Sequence, residues 1–470
     1  MFHLFTDDTI CAICTSPGMG ALAVIRLAGP EALRIADEVF TTPSGRHLAD
    51  AHGGTHHFGT LADDNTDIDE VVAIVFRKPH SFTGDDIVEF SCHGSVVIQN
   101  DIMQLLIRHG ARTARPGEFS RRAFVNGKMD LSQTEAVADL IASQNNAARR
   151  IALNQMRGGF STELRQLREQ LLHFTSLLEL ELDFSEEDVE FADRRQMLEL
   201  IARIDALVTR LSSSFRLGNA IKNGIPVAIV GPTNAGKSTL LNTLLHDQRA
   251  IVSDIHGTTR DTIEDTTQID GLTFRFIDTA GLRTTDDTIE ALGIDRSYQK
   301  IASASIVILM LDVRTATSEA VDIVNDIRAR INPDEQKIIV AINKTDLDAP
   351  LSESLIHDIR HLCPQIDAVI GISAQKEIGI DRLTELLTQL AGTEAADTDQ
   401  TIVTNLRHYE ALVRTHDALV RTDKGLRENI SGELVALDVR EAIEALGEIT
   451  GEITNDEVLG NIFSHFCIGK

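Results

Sequence analysis

The stretch GPTNAGKST, residues 231–239, places two glycines, a lysine and two hydroxyl side chains where together they can hold a phosphate chain. The apolar run PVAIV precedes it and LLNTLL follows. The expected context is therefore strand, glycine-rich loop, helix, which gives G-x-x-x-x-G-K-[ST] its meaning. Gly231 and Gly236 let the backbone curl so that its N–H groups face the phosphates. Asn234 and Ala235 lie within the curl, Lys237 brings a positive charge to the outer phosphates, and Ser238 offers a hydroxyl to Mg²⁺, with Thr239 next in line. Three further loops follow in order. DTAG (Asp278, Thr279, Ala280, Gly281) ends the run TFRFI; Asp278 suits the magnesium shell and the Gly281 N–H suits a γ-phosphate. NKTD (Asn343, Lys344, Thr345, Asp346) ends KIIVAI, and Asp346 offers two acceptors to the N1–H and 2-amino group of guanine. SAQ (Ser373, Ala374, Gln375) ends AVIGI and is placed to close over a base. Adenine lacks the donor pair that Asp346 reads, so the set selects GTP and GDP.

The hydrolytic chemistry is less plain. Leu282 follows DTAG where Ras-like enzymes carry a water-orienting glutamine, and no arginine finger is evident within this region. The Asn234 side-chain oxygen could ligate a monovalent cation beside the phosphates. The stretch Ser253, Asp254, Ile255, His256, Gly257, Thr258, Thr259 could wrap that ion with carbonyls while Thr259 reaches Mg²⁺. The acidic TTDDTIEALG (284–293) could bring a carboxylate to the water, but spacing does not single out one acid, and for any single one a solvated loop is the better reading. A second reactive candidate is Cys467 in the terminal HFCIGK. Gly469 and Lys470 do not fit a prenylation box, so lipidation is rejected; packing and thiol chemistry stay open.

The elements that must position these groups divide the 470 residues into blocks. From Thr9 to about Arg108, ALAVIRLAG, DEVVAIVF and DDIVEFSCHG read as strands between the helical EALRIADEVF and VVIQNDIMQLLIRHG, an α+β pattern. From Leu131 to about Leu217 the chain reads as helix, with Met197, Ile201, Ile204, Val208, Leu211 and Phe215 in four-three alternation. A second helical block spans Asn405–Phe466. Between them PVAIVG, TFRFID, SIVILMLD, KIIVAIN and AVIGIS are short, β-branched and apolar, as buried parallel strands are. The expected organisation is an N-terminal α+β domain (1–126), a discontinuous helical domain (127–217 and 391–470) and an inserted P-loop α/β domain (218–390), with TEAADTDQT (393–401) as the return linker. GMGALA (18–23) is discounted as a dinucleotide loop because it leads into a strand.

Composition sets limits. No run of about 18 uncharged apolar residues predicts a membrane span. MFHLFTDDTI lacks the basic start and apolar stretch of a signal peptide, so a cytoplasmic protein with no membrane partner is expected. Five cysteines are too few and odd in number for a disulfide framework. Cys11 and Cys14, in TICAIC, sit three apart on a predicted strand and so face opposite ways, against a shared metal or redox role. The net charge of −27 repels nucleic acid at long range, so an RNA partner requires a local basic patch. Arg112, Arg115, Arg121 and Arg122 are its candidates.

AVIRLAGP, FTGDDIVEFSCHG, RPGEFSRRAFVNGKMDLSQTEAVADLI, GTTRD, DTAGLR and the terminal FCIGK, taken with the nucleotide motifs, resemble the TrmE/MnmE family of tRNA-modifying GTPases along essentially the whole chain. The resemblance implies a potassium-dependent GTPase that forms a homodimer across its nucleotide faces. It places K⁺ at Asn234 and at the main chain near Ser253, Ile255 and Thr258, Mg²⁺ at Ser238 and Thr259, and the water-orienting carboxylate at Glu290. It implies a tetrahydrofolate derivative held by Arg26, Glu89, Lys128 and Lys470, with Cys467 taking part beside it, its thiolate favoured by Lys470. It also implies an FAD-dependent partner, MnmG (GidA), and modification of wobble uridine 34 at C5 in tRNA. A regulatory ribosome-assembly GTPase explains the nucleotide motifs but not the N-terminal block or Cys467. A stand-alone folate-dependent transferase leaves the GTPase motifs without a purpose.

Overall fold

A computed structural model of the chain describes residues 8–63, 66–183, 194–246, 265–277, 301, 304–333, 336–391, 401–428, 430–454, 456–464, 466 and 468–469. Two compact units result, one made of 1–141, 153–204 and 414–470, the other of 142–152 and 205–413.

The first unit is built on a seven-stranded sheet, β1 (Ile10–Ile13), β2 (Leu22–Ala28), β3 (Phe40–Thr41), β4 (Thr55–Asp63), β5 (Thr66–Phe76), β6 (Ile87–His93) and β7 (Arg112–Thr113), in the order β3-β4-β5-β6-β2-β1-β7. Alternation along the strands separates its faces. Ile25, Leu27, Val71, Ala73, Val75, Val88 and Phe90 form one core with Ile35 and Val39 of the helix Ala32–Val39 and with Ile102, Leu105 and Leu106 of the helix Val96–Arg108. The opposite face is partly covered: Ile10, Ala12, Ala28 and Ile87 pack with Ala114 and with Phe119 of the helix Glu118–Val125. Arg26 and Glu89 lie on this second face as direct cross-strand partners.

The same unit contains the long helices Gly159–Asp183 and Gly432–Thr450, which lie against each other. Phe160, Leu164, Leu167, Leu171, Phe174 and Leu178 are buried along one, and Val435, Val439, Ala442, Leu446 and Ile449 along the other. Both stripes keep the four-three spacing that lines up one helix face. In the helix Arg194–Asn223 the predicted stripe is buried from Met197 to Leu211. Phe215, in the second unit, is only half-buried and stacks on Tyr409 at 4.6 Å between centroids.

The second unit carries a six-stranded sheet, β8 (Ile225–Val230), β9 (Asp265–Ile269), β10 (Leu272–Phe276), β11 (Ile306–Asp312), β12 (Lys337–Asn343) and β13 (Ala368–Gly371), in the order β13-β12-β11-β8-β10-β9. All pairings are parallel except β9 with β10. Ile306, Ile308 and Met310 enter one core and Val307, Leu309 and Leu311 the other. Burial on both faces is why these strands read as unbroken apolar runs. Of the proposed linker 393–401, only Thr401 is among the described residues.

Candidate functional site

The loops that carry the nucleotide motifs emerge at the C-terminal ends of β8, β12 and β13, the edge where open α/β sheets bind ligands. Gly231 has φ +140°, and a Cβ there would lie 2.2 Å from the Met310 carbonyl oxygen of the neighbouring strand. Only glycine lets the loop leave β8 so close to β11. Asn234 takes a left-handed φ of +63°, and the helix Lys237–His246 then starts, aiming its first N–H groups into the curl. The Lys237 ammonium lies across the loop, donating to the carbonyl oxygens of Gly231 and Pro232, both at 2.8 Å. Ser238 stands in the first helical turn and Thr239 is exposed beside it.

Asn343, only 3% exposed, joins the phosphate loop to the base-side loop. Its Nδ2 donates to Ala235 O at 2.8 Å, and its Oδ1 accepts from Ala374 N at 3.0 Å. A buried amide satisfied in this way fixes both loops relative to β12. Lys344 has φ +65°, and its Nζ donates to Asn234 O at 2.9 Å and to Asp312 Oδ2 at 2.7 Å. Burial pushes the Asp312 carboxyl up, but hydrogen bonds from Lys344 and from the Arg314 N–H, with both their charges, outweigh it and hold it below its ordinary value. Asp312, which motif reading missed, anchors the Lys344 side chain beside the phosphate loop. Its signal is an acid ending an otherwise apolar strand. Thr345 N donates to Ile372 O at 3.2 Å, Ser373 is buried, and Asp346 and Gln375 stand exposed at the rim. Chemically, the arrangement could offer backbone N–H groups and an ammonium to phosphates, and an exposed carboxylate to a base.

Ser253 to Thr259, Asp278 to Gly281 and Glu290 lie outside the described residues, as do Cys467 and Lys470.

A second polar group lies on the N-terminal sheet. Arg26 donates to Glu89 Oε1 through Nε at 2.8 Å and approaches the same oxygen through Nη2 at 2.7 Å. The guanidinium carbon is 5.2 Å from the Phe82 ring centroid and 5.3 Å from that of Phe119, a cation–π arrangement that fixes its plane. Both rings belong to sequence blocks that carried the family resemblance, but neither aromatic announced a role. Lys128 does not join this pair in any described contact. Its Nζ donates at 3.0 Å to the carbonyl oxygen of Pro79, in the segment that also carries Phe82.

The carboxy-terminal tail folds onto the same unit. Gly469, with φ +97°, is lodged where a Cβ would lie 2.5 Å from Ile13 O, and the Cys14 Sγ donates to Gly469 O at 3.2 Å. Upstream, a Cβ at Gly117 would lie 2.8 Å from Phe463 O. The two early cysteines diverge as strand alternation requires. Cys11 is buried in the core, where burial pushes its thiol up to about 12, whereas Cys14 is half-buried against the tail.

The expected basic patch is corrected in part. Arg122 is 2% exposed, and with Arg112 it grips Glu118 and Asp8. Burial takes Arg122 out of the candidate patch, while Arg112 is one-third exposed and paired with acids of its own unit.

Family models match along the chain: "MnmE helical domain" over residues 131–467 and "GTP-binding protein TrmE N-terminus" over residues 9–128. A Bacteroides fragilis protein named tRNA modification GTPase MnmE is 52% identical over 467 residues, covering 99% of this chain and 100% of that one. The protein of the same name from Flavobacterium johnsoniae is 50% identical over 469 residues, with 99% and 100% covered. Among solved structures, Era in complex with MgGDPNP and nucleotides 1506–1542 of 16S ribosomal RNA is 27% identical, covering 41% of this chain and 66% of that one, with a TM-score of 0.28.

Proposed function

This chain belongs to the MnmE family of tRNA modification GTPases, and from that membership we propose that it is a potassium-dependent GTPase acting on wobble uridine 34 of certain tRNAs. In this reading it works with the FAD-dependent MnmG (GidA) and uses a tetrahydrofolate one-carbon unit to build a substituent at uridine C5. The proposed organisation is an N-terminal folate-binding domain, a discontinuous helical domain and an inserted GTPase domain, assembled as a homodimer across the nucleotide faces.

The observation that carries the nucleotide reading is Asn343, which bonds the phosphate loop and the SAQ loop at once. Asp346 then reads the guanine edge, and Lys237 and the loop N–H groups hold the phosphates. Ser238 and Thr259 are the proposed Mg²⁺ ligands. K⁺ would supply fixed positive charge beside the phosphates, as an arginine finger does. The chain's part is to hold it with Asn234 and with the main chain at Ser253, Ile255 and Thr258. Among the described residues no hydrogen bond engages the Asn234 side-chain oxygen, which fits that duty, while Lys344 fixes its main chain. Glu290 is the proposed water-orienting carboxylate.

The donor set on the N-terminal sheet fits a folate. Glu89 Oε2 and Arg26 Nη1 have no described partner, so a carboxylate oxygen and a guanidinium edge remain for the paired donors and acceptors of a pterin. Lys128 and Lys470 suit the glutamyl carboxylates. Cys467 is the proposed nucleophile or base, and the lodging of Gly469 against Ile13 supports a tail that returns to this sheet. Nucleoside analysis of wobble uridine in tRNA from cells lacking the protein tests the reading. Loss of the C5 substituent, restored by the wild-type chain and not by Cys467→Ser, is expected. An unchanged wobble uridine would favour the ribosome-assembly alternative, for which the chain should also fail to bind folate.

A further inference from the structure

Residues 142–152 form part of the unit built on the nucleotide-binding sheet, although they lie far ahead of the phosphate loop in sequence. Asn145, 8% exposed, makes three hydrogen bonds with its amide group. Nδ2 donates to Ile221 O at 3.1 Å and to Thr273 Oγ1 at 3.0 Å, and Oδ1 accepts from Ala148 N at 2.7 Å, opening the helix Asn146–Met156. Gln268 Nε2 donates to Gln144 O, and Ala147 packs against the core that contains Phe274 and Phe276. The hairpin of β9 and β10 is therefore gripped from outside at both of its strands.

That hairpin connects the two segments expected to answer to the γ-phosphate. Ser253 to Asp261 come just before β9, and Asp278 to Gly281 just after β10. Resting on the GTPase reading above, we infer that Asn145 is a positioning residue for GTP hydrolysis, contributed from outside the 218–390 block. Its buried amide holds Thr273 to the end of the helix Arg194–Asn223, and so sets where both switch segments leave the sheet. Breaking the bridge would leave a buried polar group without its partner, which is costly, so the hairpin is held rather than free to slide. The resulting order matters most in the transition state, when both segments must meet the phosphate together.

Three variants of the full-length chain test this. Asn145→Ser keeps an acceptor at the helix start, since serine caps as well as asparagine, but cannot span to Ile221 and Thr273. Thr273→Val keeps the volume and removes the hydroxyl, and Gln268→Ala removes the second grip. Steady-state GTP hydrolysis in KCl and Mg²⁺ should show kcat lowered roughly two- to thirtyfold for Asn145→Ser and Thr273→Val, with GTP and GDP Kd within about twofold of wild type. The double variant Asn145→Ser/Thr273→Val should be no slower than the worse single one, because Asn145→Ser already removes the bond that Thr273→Val removes. A merely structural bond would lower the melting temperature and leave kcat at 25 °C unchanged. Wild-type kcat in all three variants therefore overturns the inference alone. A wild-type chain that hydrolyses no GTP overturns the GTPase reading, and this inference with it.

Discussion

At Gly236 a methyl group would sit 2.1 Å from Asn343 Nδ2, at a φ of +99° that disfavours any side chain. Gly236→Ala must therefore displace the amide that ties the two loops. Nucleotide affinity measured calorimetrically should fall by roughly two orders of magnitude or more, a loss of about 3 kcal/mol. The sheet's thermal transition should fall less than affinity does, because Gly236 itself belongs to neither core, although its neighbour Ala235 does. Asp346→Asn acts differently. The exposed carboxylate contributes nothing to packing, so the variant should fold normally, bind GTP weakly, and gain affinity for xanthosine triphosphate, whose altered edge suits an amide. Competition between the two nucleotides measures this, and unchanged GTP preference would refute the role of Asp346.

Among elements, the helix Glu118–Val125 is pinned by a charge cluster. Glu118 Oε1 accepts from Arg112 Nη2 at 2.6 Å and from Arg122 Nη2 at 3.2 Å. Burial raises the Glu118 carboxyl, but the Arg112 hydrogen bonds, the Arg115 N–H and the charges of Arg112 and Arg122 hold it below its ordinary value of 4.5. The folded-state value is the lower one, so the contribution to stability is complete above pH 4.5 and is lost as pH falls through the folded value. Glu118→Gln removes one of the two carboxylates that face Arg122 and leaves Asp8 in place, so it should cost roughly 1–3 kcal/mol, seen in denaturant unfolding of the N-terminal unit. It should also flatten the acid limb of the stability profile. The tail gives a second test at this scale. Gly469→Ala would force a Cβ to within 2.5 Å of Ile13 O, so the tail should leave its seat and alkylation of the half-buried Cys14, whose thiol donates to Gly469 O, should accelerate, read by peptide mass. An unchanged alkylation rate would show that this seat does not hold the tail.

For the whole molecule, replacing K⁺ by Na⁺ should slow GTP turnover strongly and leave nucleotide binding nearly intact, because the ion is proposed to act on transition-state charge. Equal rates in the two salts would remove K⁺ from the mechanism. The net charge of −27, with Arg112 and Arg122 engaged internally, opposes autonomous tRNA binding. Binding to tRNA by the chain alone should therefore be weak, and should tighten when the proposed flavoprotein partner is added. No helix among the described residues is long and apolar enough to cross a membrane.

Local spacing was enough to place the strand, loop and helix around GPTNAGKST and the strands that end in NKTD and SAQ, because a strand–loop–helix phosphate cradle has its backbone geometry encoded within a few residues. The burial of both faces of β11 was equally legible in SIVILMLD, where no polar residue interrupts the run before Asp312. Tertiary structure alone decided the partners that no periodicity encodes. Asn145 meets Ile221 and Thr273 across 76 and 128 residues of chain. Arg26 is held between Phe82 and Phe119, and Arg122 turns inward to Glu118 instead of outward to solvent. A side chain's type states which bonds it can make. Only the folded chain, by excluding water and bringing distant segments within about 3 Å, determines which of those bonds it makes.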